Sequence, residues 1–170
     1  MMNLIQTPRS FYRYGVYKHR LTAPDGSVYT RPFIVIRNSY GVIIRFTNLH
    51  NYVGVFGGKV FTPLVSDAEK RLYYVCTMLN YVLIEHYERF GIDDVLQINR
   101  FALESFFRDY ALEAKPGGGF RGAQSLEKCV YAVVTLFRNL RRKFGVQMVL
   151  TNADLVTEKL TRTNRGGVVS

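Results

Sequence analysis

Between Leu126 and Phe144 the apolar residues recur at a single helical spacing, and no other feature constrains the fold of this chain as strongly. At 100° per residue, Leu126, Cys129, Val130, Val133, Val134, Leu136, Phe137, Leu140 and Phe144 lie on one continuous face. Such a face must be buried against other elements. The opposite face carries Lys128, Tyr131, Thr135, Arg138, Asn139 and Arg142, and the one acid, Glu127, is expected in the first turn, where the helix dipole favours negative charge. A helix that is half core and half cation suits a surface that presses against a polyanionic backbone.

The formal charge of +10 on 170 residues is unevenly spread. Residues 1–65 hold eight Lys/Arg against one acid, residues 66–110 five against eight, and residues 111–170 ten against four. Two basic blocks around an acidic one point to a polyanion met through particular surfaces, the bland alternative being charge kept for solubility. With 48% apolar and 21% charged residues the chain is of ordinary globular composition, long enough for one core or a core with an appendage. Cys76 and Cys129 each sit inside an apolar helical stripe, which predicts small core residues in a reducing compartment. No apolar run approaches a membrane span, and the first residues lack a charged segment followed by an apolar one, so a soluble, cytoplasmic protein is expected.

Residues 1–46 read as a β-rich segment. Phe11–Arg20 is aromatic and β-branched, Pro24-Asp-Gly-Ser27 marks a turn, Val28–Arg37 resumes the strand pattern, and Asn38-Ser-Tyr-Gly41 precedes Val42–Phe46. Pro32 is expected to make the middle segment an edge strand or to split it. Arg13, Lys18, Arg20, Arg31, Arg37 and Arg45 are expected largely outward, tracking phosphate or merely solvating an edge.

Residues 47–161 read as helical. Thr47–Gly54 fits a short helix and Phe56–Pro63 a loop. Gly57-Gly58-Lys59 is no phosphate loop, because Val53 and Val60 stand where glycine and Ser/Thr are required. Ser66-Asp-Ala-Glu69 has capping-box spacing and opens a helix that Gly91 closes, with Leu72, Val75, Cys76, Leu79, Val82, Leu83, His86 and Phe90 as its apolar stripe. Lys70, Arg71, Tyr74 and Thr77 occupy the other face of its first half, Glu85 and Glu88 that of its second. Asn99 is expected to cap a third helix, with Phe101, Phe106, Phe107 and Tyr110 for the core and Arg100, Glu104 and Arg108 at pairing distance. Lys115–Gly122 is a glycine-rich loop. A last helix is expected from Thr151 or Asn152 to Leu160, and residues 162–170 read as a linker to a further domain.

No catalytic constellation emerges. His19, His50 and His86 are scattered, the two cysteines are far apart in sequence, and Asp93-Asp94 fits turn and capping roles, so neither a metal, a cofactor nor an enzymatic site is expected. Binding chemistry is richer. Lys128, Arg138 and Arg142 suit phosphates, and Tyr131, Thr135 and Asn139 suit base edges or phosphate oxygens. Gln124 and Ser125 add donors at the helix start. Lys70, Arg71, Tyr74 and Thr77 supply a second helix, Arg121 a glycine loop, and Arg162 and Arg165 a basic tail.

From Asn48 to Leu160 the chain resembles the core-binding, SAM-like region of tyrosine recombinases and phage-type integrases. The likeness rests on Asn48-Leu-His-Asn-Tyr52, the long helix Glu69–Phe90, Gly91-Ile-Asp-Asp-Val-Leu-Gln-Ile-Asn99 leading into Phe101–Tyr110, and Ser125 followed by Leu136-Phe-Arg-Asn-Leu-Arg-Arg-Lys-Phe144. These are degenerate hydrophobic patterns over about two thirds of the chain. The resemblance implies an α+β chain, its β-rich segment followed by an orthogonal bundle of four to five helices that clamps double-stranded DNA at a recombination site. It also implies further recombinase protomers on that DNA and a separate catalytic domain. His86-Tyr-Glu-Arg89 matches the family's His-x-x-Arg spacing but lies far upstream of the catalytic box. The alternative is a helical regulatory or protein-interaction module with a basic face for an acidic partner.

Overall fold

A computed structural model describes residues 8–53, 66–113, 118–119 and 122–161. The architecture is α+β, a three-stranded antiparallel sheet followed by helices. Strands β1 (Tyr12–Thr22), β2 (Val28–Asn38) and β3 (Ile43–Phe46) are adjacent in that order. Both hairpin turns form as expected. Gly26 and Gly41 take φ of 87° and 82°, while the Asp25 carboxylate accepts from Ser27 N and the Asn38 side chain accepts from Tyr40 N and Val42 N.

The expectation for Pro32 is corrected, since β2 is unbroken and central. Ile34 shows why. Its N–H donates to His50 Nδ1 (3.3 Å), and its carbonyl accepts from Thr47 N (3.0 Å) and Thr47 Oγ1 (2.8 Å), so even-numbered positions of β2 turn their polar backbone away from β1. Pro32 shares that parity, and β3 reaches only as far as Val35. Its missing N–H therefore breaks no ladder bond.

The expected helix from Ser66 to Phe90 is interrupted. Helix α1 (Ser66–Asn80) passes into a π-turn over Tyr81–Glu85, and α2 (Tyr87–Phe90) follows His86, whose φ of −117° leaves the helical region. Gly91 ends α2 at φ 64°. At the junction the buried Asn80 side chain accepts from Tyr14 N (2.7 Å) and donates to Tyr14 O (2.9 Å). One amide thus serves the outer edge of β1 as a strand residue would, and locks the sheet to the helix where the helix widens. Lys18–Glu69 and Arg13–Glu85 ion pairs bracket that lock, so two cations expected outward join the sheet to the helix. The Ser66 side chain of the capping box lies outside the described residues.

Helix α3 (Arg100–Leu112) is capped by Asn99, which accepts from Ala102 N at 2.9 Å. Arg100 pairs with Glu104 at 2.6 Å, whereas Arg108 meets its neighbour Asp109 instead. Phe106, Phe107 and Tyr110 are buried, but Phe101 is 57% exposed, a correction. It follows Asn99 by two residues, on the outer side of the first turn, where it and Phe90 contact the Arg89 guanidinium. Tyr81 donates its hydroxyl to Asp109; burial, helped by that bond, pushes the phenol pKa up to about 12.

Helix α4 (Ala123–Phe144) crosses the core with Cys129, Val130, Val133, Leu136 and Phe137 fully buried. Because it starts at Ala123, Glu127 lies beyond the first turn, against expectation. The final helix is shorter than expected: α5 spans Thr157–Leu160, while Thr151–Asp154 forms a turn in which the Asp154 carboxylate accepts from Thr151 N and Oγ1. Cys76 and Cys129 are buried as expected, and burial pushes the Cys76 thiol up to about 12. Among the described residues no helix is long and apolar enough to cross a membrane.

His50 must stay neutral to accept from Ile34, and burial, with Arg31 nearby, lowers its pKa from 6.5 to about 4. The unfolded chain takes up this proton near the ordinary value and the folded chain only near 4. The contribution is therefore complete above pH 6.5 and is lost as pH falls towards 4, about 3 kcal/mol in all. Urea unfolding between pH 7 and pH 4 is expected to show this slope, and His50→Gln, which keeps an acceptor, to flatten it. Parallel profiles for the two proteins would contradict the assignment.

Candidate functional site

Helices α1 and α4 pack side by side, and their outer flanks leave an open cleft of about 400 Å³. Lys70, Arg71 and Tyr74 of α1 line one wall, Glu127, Lys128 and Tyr131 of α4 the other, and Thr157 at the start of α5 closes one side. Five residues chosen by pattern alone on two separate helices therefore meet. They meet because each helix turns its apolar stripe into the shared core, which leaves the polar flanks adjacent along the seam.

The cleft is braced from within. The Arg71 guanidinium lies 5.2 Å from the Tyr131 ring centroid, a cation–π contact that joins the two walls. Tyr74 is half-buried and stands edge-on to Tyr110 at 6.4 Å, while the Tyr110 hydroxyl shares a 3.3 Å hydrogen bond with Ser125 Oγ. Tyr131 is 57% exposed, a large ring open to a ligand. Lys70 and Lys128 are exposed and form no ion pair with a described residue, unlike Arg13, Lys18 and Arg100. Three cations against the single carboxylate of Glu127 make the cleft electropositive.

From the cleft a stripe continues along α4. Gln124, Lys128, Tyr131, Thr135, Arg138 and Arg142 follow at spacings of three and four, so they share one side of the helix, and all but Thr135 are exposed. Arg138 also donates to Leu155 O at 2.9 Å, which ties the segment before α5 to the stripe. Three of the remaining candidates have contacts inside the fold. Asn139 Nδ2 donates to Tyr52 O (2.6 Å), holding the short helical turn Leu49–Tyr52 against α4. Thr77 Oγ1 donates back to Tyr73 O, and Ser125 meets Tyr110 as above. Arg121, Arg162 and Arg165 lie outside the described residues.

Two lining residues escape sequence reasoning. Glu127 was assigned to the helix dipole, though its place on the flank of α4 beside Lys128 was available as a signal. Thr157 carries none, because its position depends on the irregular path from Met148 to Val156. Among the described residues no group of three His, Cys, Asp or Glu side chains is placed to hold a metal ion. No protein-family model, curated protein or solved structure matches the chain.

Proposed function

We propose that the chain binds double-stranded DNA through the α1–α4 face, as the core-binding region of a tyrosine recombinase does, with strand exchange left to a separate catalytic domain. The observation that carries this reading is the convergence of Lys70, Arg71, Lys128 and Tyr131 on one cleft that opens into the α4 stripe. From Lys128 to Arg142 the stripe is about 21 Å long at 1.5 Å per residue. That exceeds the roughly 12 Å width of a major groove, so cations at its two ends suit phosphates on opposite groove walls. Tyr131 and Thr135 between them suit base edges, Gln124 adds a donor one turn before Lys128, and Arg71, held on Tyr131, suits a phosphate near the cleft. A reducing, cytoplasmic setting suits the two buried cysteine thiols.

Selection from a randomised duplex library tests the proposal. It is expected to converge on one sequence that binds at least roughly 1,000-fold more tightly than random duplex at physiological salt. Uniform weak binding to every duplex, or preference for an acidic protein surface over all of them, would contradict it.

A further inference from the structure

The cleft between α1 and α4 is concave, whereas a duplex is a convex rod that rests on its rim without filling it. Its volume of about 400 Å³ lies in the range of small-ligand pockets. Two chemistries meet there. Tyr74, half-buried and held edge-on to Tyr110, and Tyr131, more than half exposed, supply rings from the two helices. The Arg71 guanidinium braces the second ring. Lys70 and Lys128 stand as exposed cations, one on each wall, and the carboxylate beside Lys70 in sequence, Glu69, is taken by Lys18 of β1.

Glu127 is the odd member of the cleft. It shares the lining with three cations yet forms an ion pair with no described residue, whereas Glu69, Glu85 and Glu104 each pair with a cation. Glu158 follows Thr157 in sequence but does not line the cleft. A carboxylate weakens a site built for phosphate alone, so its place here calls for a ligand that also donates hydrogen bonds. Guanine is the base with two adjacent donors on its polar edge, N1–H and the N2 amino group, which one carboxylate accepts together. Adenine and cytosine put an acceptor beside their donor, and uracil and thymine set one donor between two acceptors, so each turns a lone pair towards a carboxylate oxygen.

We propose that the cleft binds one guanine nucleotide, free or as the unpaired end of a strand. The base stacks against Tyr74 and Tyr131, Glu127 accepts from its N1–H and N2 amino group, and Lys70 and Lys128 hold the 5′-phosphate. The rings select a planar base, the lysines its phosphate, and the carboxylate guanine among the bases. A base inside a duplex offers neither its faces nor its pairing edge, so the ligand is an unpaired nucleotide. The site needs only the cleft, and it stands or falls apart from the duplex reading.

Isothermal titration of the full chain, without DNA, with guanosine 5′-monophosphate, adenosine 5′-monophosphate and guanosine tests this. The guanine nucleotide is expected to bind about tenfold or more tightly than either, the adenine nucleotide reporting the Glu127 contact and guanosine the phosphate contact. Glu127→Gln separates a specific cleft from a merely electrostatic one. Its amide presents one acceptor and one donor, which match adenine, so the preference is expected to invert; a cleft that only attracts anions would bind both nucleotides more tightly once the carboxylate is gone. Tyr131→Phe is expected to keep the affinity and Tyr131→Ala to lose about tenfold. Duplexes ending in a 5′-phosphorylated unpaired dG or dA identify the source: discrimination between the mononucleotides assigns a free nucleotide, and discrimination between the overhangs alone assigns a strand end. Equal binding within both pairs, or a uniform gain in Glu127→Gln, would overturn the proposal and leave the affinity for a blunt duplex untouched as a separate question.

Discussion

Phe137→Ala is expected to destabilise the fold by about 3–5 kcal/mol, while Phe101→Ala is expected to cost under about 1 kcal/mol. The contrast follows from position. Phe137 is fully buried in the middle of α4, in the cluster that also holds Leu79, Phe106 and Phe107, whereas Phe101 is 57% exposed on the first turn of α3. Removing the buried ring deletes its transfer free energy and leaves a cavity that the surrounding α1, α3 and α4 backbones cannot collapse to fill. Removing the exposed ring deletes contacts with the Arg89 guanidinium and the Phe90 ring. Since whole domains are stable by about 5–15 kcal/mol, the first substitution removes a large share of the stability of the fold. Paired urea titrations measure both, and equal midpoints would mean that α4 does not organise the core.

Replacing Lys70, Lys128 and Arg142 together by alanine is expected to weaken duplex binding by about 3 kcal/mol at low salt, roughly a hundredfold, with the unfolding midpoint almost unchanged. The three side chains are exposed and bonded to no described residue, so their removal exposes no cavity and strands no buried partner. Arg71 and Arg138 are poorer choices. The first braces Tyr131 and the second holds Leu155 O, so either loss would mix binding with packing. The comparison is clean because the fold uses other cations for its own cohesion, Lys18 with Glu69 and Arg13 with Glu85. A triple variant that kept full affinity would remove the basis for the duplex reading, and one that unfolded would show that the cleft is structural.

The features legible in the sequence are those set by local periodicity and local turn chemistry. The apolar stripes of α1 and α4 are buried where their spacing placed them, Asn99 caps α3, and Gly91 ends α2 in the left-handed conformation it was expected to supply. The failures share a cause, which is dependence on partners remote in sequence. Pro32 sits in a central strand only because β3 stops short of it. The π-turn after Asn80 exists beside a β1 edge that its side chain serves, and nothing within the helix announces it. Asn139 read as a candidate for base edges and instead ties down Tyr52 O, 87 residues away. His50 looked like one of three scattered histidines and completes the hydrogen bonding of β2. The cleft falls between these cases: its residues were readable from two amphipathic patterns, but their meeting required the packing of α1 on α4.

The salt dependence of duplex affinity tests the central claim most directly. Each phosphate neutralised contributes about −0.9 to the slope of log K against log salt, so loss of Lys70, Lys128 and Arg142 is expected to flatten the slope of the wild-type protein by about 3. Anisotropy titrations of one duplex at several salt concentrations, run on both proteins, give the two slopes. Identical slopes would contradict binding through the α1–α4 face, whatever the absolute affinities.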